Sequence, residues 1–122
     1  KAIGTRALLV DVAAAVARAA LKVIRDEKLV DNAAIMGEYF MGELRKIKSA
    51  HIKEIRGKGL LIGVELNADA GGARRFCEAL KAEGLLCKET HQTVIRFAPP
   101  LVIQREDIDW AMERIEKVLM MP

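Results

Sequence analysis

The spacing of apolar residues changes from three and four to two at Ile52, and that switch governs what this chain can fold into. Upstream, Val12, Ala15, Val16, Ala19, Ala20, Val23 and Ile24 share one helical face. Asp11 is placed to cap that helix, and the polar run Arg25 to Lys28 to end it. A second helix is expected from Asp31, turning Met36, Phe40, Leu44 and Ile47 inward. Ser49-Ala50-His51 is then a linker, with His51 in solvent.

Downstream of the switch, residues 52–56 alternate, Gly57-Lys58-Gly59 reads as a turn, and residues 60–66 read as a strand buried on both faces. Asn67 to Gly72 is a flexible stretch of small and polar residues. A third helix carries Ala73, Phe76, Cys77 and Leu80 inward and stops near Gly84. Residues 85–89 and 93–97 read as strands joined across Thr90-His91-Gln92. Pro99-Pro100 ends the pairing, because neither residue has an N–H to donate. The last helix points Ile108, Ala111, Met112, Ile115, Val118 and Leu119 inward, with Glu106 and Asp107 favourably in its first turn. The order α-α-β-β-α-β-β-α predicts an α+β fold, a small and mainly antiparallel sheet covered by helices.

Composition narrows the function. At 122 residues the chain suits one core, so 1–122 is expected to be a single domain. Lys and Arg number 20 against 17 Asp and Glu, interspersed rather than clustered, and only 4% of residues are aromatic. Without a basic stripe or stacking platform, nucleic acid is not an expected partner. Arg18 and Lys22 interrupt the apolar run 13–24, so no membrane span is expected. Lys1 to Ala20 carries no secretory signal pattern, which makes the cytoplasm the expected compartment. Cys77 and Cys87 form neither a disulfide framework nor a metal-ligand spacing, and no metal site is expected. Both read as buried thiols. A nucleophile–base dyad of Cys87 or Cys77 with His91 is the sharper alternative, since thiolate and imidazole can act together. Tyr39 and Trp110 read as residues at the core's edge.

Three blocks in order and spacing resemble the class III, fold-type I aminotransferases, which use pyridoxal phosphate (PLP). They are Glu54-Ile-Arg-Gly-Lys-Gly-Leu-Leu-Ile-Gly-Val-Glu-Leu66, Gly84-Leu-Leu-Cys-Lys-Glu-Thr-His91 and Val94-Ile-Arg-Phe-Ala-Pro-Pro-Leu101, supported by Val16 to Ile24. The second block tilts the resemblance toward the ornithine type. It implies the carboxy-terminal small domain, which in the family packs on a large PLP domain and helps to close the substrate site. By resemblance, Arg96 matches the arginine that handles a substrate carboxylate, a task suited to a planar two-pronged donor.

Residues 1–15 depart from that family. Where it has Gly-Ser-Thr-Phe-Gly-Gly-Asn-Pro, this chain has Gly4-Thr-Arg-Ala-Leu-Leu-Val-Asp11. The threonine that would touch the PLP phosphate falls on Arg6, and the two glycines become Leu8 and Leu9. The Schiff-base lysine, the aspartate on the pyridinium nitrogen and the phosphate cup lie mainly upstream of the matched region in the family. Lys1-Ala2-Ile3-Gly4 resembles the surroundings of that lysine but adjoins the wrong segment. No catalytic or cofactor-binding residue is therefore expected in this chain; PLP belongs to the parent family. The expectation is an excised and engineered small domain, 16–122 family-like and 1–15 altered, serving as a scaffold without transaminase activity. The alternative is part of an active ornithine aminotransferase. In an excised domain, Leu8-Leu9-Val10 is expected to cover the bared apolar face or to pair two chains as a homodimer.

Overall fold

The fold is that of a computed structural model, which describes the backbone from Ala2 to Pro122 and side chains from Val10 onward. The readings placed on the side chains of Lys1, Arg6, Leu8 and Leu9 lie outside the described residues. Helix α1 (Ala2–Asp26) and helix α2 (Leu29–Arg45) meet at Lys28, which takes a left-handed conformation, φ 53°. Strands β1 (Ile52–Lys58) and β2 (Leu61–Leu66) follow, then a 3-10 turn (Ala68–Ala70) and helix α3 (Ala73–Ala82). Strands β3 (Lys88–Thr90) and β4 (Val94–Phe97) lead to helix α4 (Arg105–Leu119). The four strands form one sheet in the order β1-β2-β4-β3, and each described pairing is antiparallel.

Apolar residues sort to one face of that sheet. Ile62, Val64 and Leu66 of β2 and Ile95 and Phe97 of β4 pack against Phe40, Leu44, Phe76, Leu80, Ile108, Ile115 and Leu119 from α2, α3 and α4. β1 reaches the same face by an irregularity. Ile52 pairs with Leu66 but Glu54 pairs with Glu65, so an extra residue bulges out between them. The bulge lets Ile52 and Ile55, three apart, both pack on the core, which a regular strand forbids.

Two glycines set how closely α2 sits on the sheet. A Cβ on Gly37 would fall well inside contact distance of the Gly59 carbonyl oxygen. Gly59, at φ 57°, opens the two-residue turn between Lys58 and Leu61, a position that needs a residue tolerant of positive φ. The helix therefore rests directly on the hairpin backbone.

Several sequence expectations need correction. The strand within 60–66 is buried on one face, not two, because no helix among the described residues covers its other side: Leu61 is 58% exposed. The turn falls at Gly59-Leu60, with Gly57 and Lys58 still in β1. Only Lys88 to Thr90 of the stretch 85–89 and its neighbour form ladder pairs. Asp11 lies within α1 and caps nothing. The apolar face of α1 is not an inner face of this chain: Val10, Val12, Val16 and Leu21 are all exposed, because α1 packs chiefly on α2. Val10 is thus not the intramolecular cover that was one of the two roles expected for it. His51 is half-buried, its Nε2 2.6 Å from the Met121 carbonyl oxygen and its ring edge-on to Phe76.

The two α2 glycines give a paired test. Gly37→Ala forces α2 off the hairpin and is expected to cost about 2 kcal/mol, roughly 5–10 °C in Tm. Gly42→Ala, with nothing near the new methyl, is expected to stabilise by up to about 1 kcal/mol. Thermal denaturation followed by circular dichroism checks both; equal effects would show that the close approach at Gly37 is not a constraint.

Candidate functional site

The uncovered face of the sheet collects the charged residues. Register places Arg56 of β1, Gly63 of β2, Arg96 of β4 and Lys88 of β3 in one row across four strands. Alternation accounts for this: each lies one residue out of phase with the apolar set that faces the helices. Gly63 leaves the middle of the row without a side chain. Above it is a shallow cavity of about 300 Å³, bordered by Arg56, Lys58, Leu61, Thr90, Val94 and Arg96. Leu61 and Val94 give the cavity an apolar floor between cations.

The cations are not equivalent. Arg56 donates from Nη1 to Glu65 at 2.8 Å and to Glu54 at 3.3 Å. The Arg56 guanidinium, hydrogen-bonded to Glu65, holds that carboxyl below the usual range; the same bond raises Arg56. Arg96 is exposed and makes no ion pair among the described residues. Lys58 and Lys88 are likewise exposed and without an ion pair among those residues. An unpaired planar guanidinium flanked by lysines over an apolar floor suits a carboxylate on a short carbon chain.

These residues do not fit PLP itself. The cofactor needs a lysine nucleophile, a carboxylate for its ring nitrogen and a cradle for its phosphate in one place. Lys58 stands at the cavity, but Glu54 and Glu65, the carboxylates on this face of β1 and β2, are already held by Arg56. Nor do the described residues contain a cluster of three metal-ligating side chains.

The thiols and histidines form no second centre. Cys77 and Cys87 are both half-buried free thiols close enough to influence each other's ionisation. Burial, reinforced by the neighbouring Cys77, pushes the Cys87 thiol up to about 12, and burial raises Cys77 as well. His91 is exposed in a left-handed turn, φ 52°, four residues of near-extended chain (about 13 Å) beyond Cys87. A Cys87–His91 dyad is therefore not assembled. Tyr39 donates to Asp109 beneath Arg105, whose guanidinium carbon lies 4.6 Å from the Tyr39 ring centroid, tying α2 to α4. Trp110 is 44% exposed and covered on one side by Arg114.

The arrangement has relatives. The Aminotransferase class-III family profile matches residues 11–119. This chain belongs to that family. It is 64% identical over 106 residues to an ornithine aminotransferase of Staphylococcus carnosus, covering 87% of this chain and 26% of that protein. In solved structures, the acetylornithine aminotransferase of Elizabethkingia anophelis superposes with a TM-score of 0.82 at 44% identity, over 87% of this chain and 29% of that one. The ornithine aminotransferase of Toxoplasma gondii, with PLP at partial occupancy in its active site, gives 0.77 at 43%, over 83% and 25%. The chain thus spans about a quarter of the length of these relatives and corresponds to an α+β small-domain fragment of a PLP-dependent family. No helix among the described residues is long and apolar enough to cross a membrane.

Sequence reasoning found Arg96 only through resemblance. The row that surrounds it, with Arg56 and Lys88 as lateral neighbours, needed the register. The Cys87 environment is directly testable. A thiol pushed up to about 12 is almost wholly protonated at pH 8. Iodoacetamide is expected to modify Cys87 at least ~10-fold more slowly than a free cysteine, with a rate still climbing above pH 10. Peptide mass mapping against pH checks this, and fast labelling at pH 8 would contradict it.

Proposed function

We propose that this chain is the substrate-closing small domain of a PLP-dependent ornithine aminotransferase, and that Arg96 receives a substrate carboxylate. The observation that carries the reading is the open guanidinium of Arg96 beside the cavity over Gly63, flanked in register by Lys88. In that reaction the δ-amino group of ornithine passes to 2-oxoglutarate, giving glutamate semialdehyde and glutamate. PLP, held by the large domain, supplies the electron sink. The part played by this chain is to bind and orient: the two parallel N–H groups of Arg96 fix both oxygens of a carboxylate, and the apolar floor excludes water from its carbon chain. Alone, the chain is proposed to carry out no transamination.

A second reading, a redesigned stand-alone scaffold, is favoured by one observation. Residues 2–15 lie within α1, where the family pattern has a glycine-rich loop. On either reading the bared face of α1 is the docking surface, for a large PLP domain in the enzyme or for a second copy in a homodimer. A cytoplasmic setting belongs to both.

Titration with glutarate, followed through the arginine Nε–Hε NMR signals, tests the role of Arg96. A saturable shift on the order of millimolar affinity is expected, lost in Arg96→Ala and partly kept in Arg96→Lys. The same response in Arg96→Ala would overturn it. PLP with borohydride trapping is expected to leave no stoichiometric adduct on a single lysine. Such an adduct, prevented by prior incubation with ornithine, would overturn the claim of inactivity. Static light scattering separates the docking partners: a mass that doubles with concentration supports the homodimer, and a monomer at all concentrations excludes it.

A further inference from the structure

Glu65 stands between two arginines. On the open face it is opposite Glu54 on one side and Val94 on the other, while the next outward residue of β2, Gly63, is opposite Arg56 and Arg96. Arg56 and Arg96 are therefore both diagonal neighbours of Glu65, at backbone separations of about 7–8 Å that long side chains can bridge. Gly63 puts no side chain in the way of either. The carboxylate nevertheless pairs with Arg56 alone, at 2.8 Å. Glu54, 3.3 Å from the same Nη1, explains the choice. It already restrains Arg56, so the second contact to Glu65 costs less side-chain freedom there than it would at the unrestrained Arg96.

We propose that Arg56 is a positioning residue: by holding Glu65 it keeps that carboxylate from closing on Arg96, so that Arg96 stays open to an incoming carboxylate. This rests on the carboxylate role proposed for Arg96. Without Arg56, Glu65 would serve as an internal competitor, tethered one strand away from the guanidinium that the substrate needs. Arg56 touches no substrate in this scheme and acts only through Glu65.

The test reads the Glu65 carboxyl by carbon NMR through a pH titration, in the wild-type chain and in Arg56→Ala, Arg96→Ala and the double variant. In wild type, Arg96→Ala is expected to leave the Glu65 pKa unchanged. In the Arg56→Ala background Glu65 turns to Arg96, so adding Arg96→Ala raises its pKa by about half a unit or more. No further rise in the double variant overturns the proposal. Arg56→Gln, which keeps most of the aliphatic stem, replaces Arg56→Ala should that variant fail to fold.

Glutarate affinity supplies the second arm. Arg56→Ala is expected to weaken binding about threefold, and Arg56→Ala with Glu65→Gln to restore it. Arg56→Ala with Glu54→Gln has the same net charge as that rescued protein but leaves Glu65 in place, and it is expected not to restore binding. Equal rescue by both would mean that net charge alone is at work and would overturn the inference. A wild-type chain indifferent to glutarate, with the Glu65 cycle as expected, would remove the role of Arg96 yet leave the pairing rule intact.

Discussion

A sheet covered on one face only must keep its strands in strict register, since a slip of one residue would turn every side chain to the wrong side. Everything else in this structure depends on that constraint. Ile62, Val64 and Leu66 can meet α2, α3 and α4 only if Leu61, Gly63 and Glu65 face away, and the antiparallel partners inherit the same phase. The polar row is the complement of the core, made by the same alternation. The Gly59 turn pins the phase between β1 and β2. The contact of Gly37 against that turn then ties the helical layer to the same reference point.

Much of this was legible in the residues. The inner face of α4 reads directly from its spacing, because six apolar residues at helical intervals have one way to be buried. Phe76 and Leu80 of α3, and Phe40, Leu44 and Ile47 near α2, follow the same logic. The strands were harder. An apolar run such as residues 60–66 does not reveal whether a second layer exists, and here the missing layer makes a half-buried strand. Ile52 and Ile55 at a spacing of three look irregular until a bulge is allowed, and a bulge leaves no composition signal. His51 looked like a linker residue because its partners, Met121 and Phe76, come from distant parts of the chain.

The candidate site divides in the same way. A single arginine in a strand does not announce a ligand, and Arg96 stood out only because its surroundings resemble a family. Its neighbours depend on lateral pairing, which sequence distance conceals: Arg56 and Arg96 are forty positions apart, yet one glycine separates them across the sheet. Helix α1 illustrates the opposite case. Its apolar stripe was plain, but a stripe says only that a helix wants a partner, not whether the partner lies in the same chain. Its valines stay exposed, with no apolar cover among the described residues.

The end of the chain is sewn to its middle. Ser49 donates to the Leu119 carbonyl, His51 bonds to that of Met121, and Arg75 reaches both Ala70 and Pro122. Those stitches close a loop of about seventy residues that contains all four strands and two of the helices. In a loop shut in this way the last residues are no loose tail. Peeling them back would free Ser49 and His51 at the entrance to β1, so loss of order at the terminus would travel to the sheet edge as one event rather than stop at the final turn.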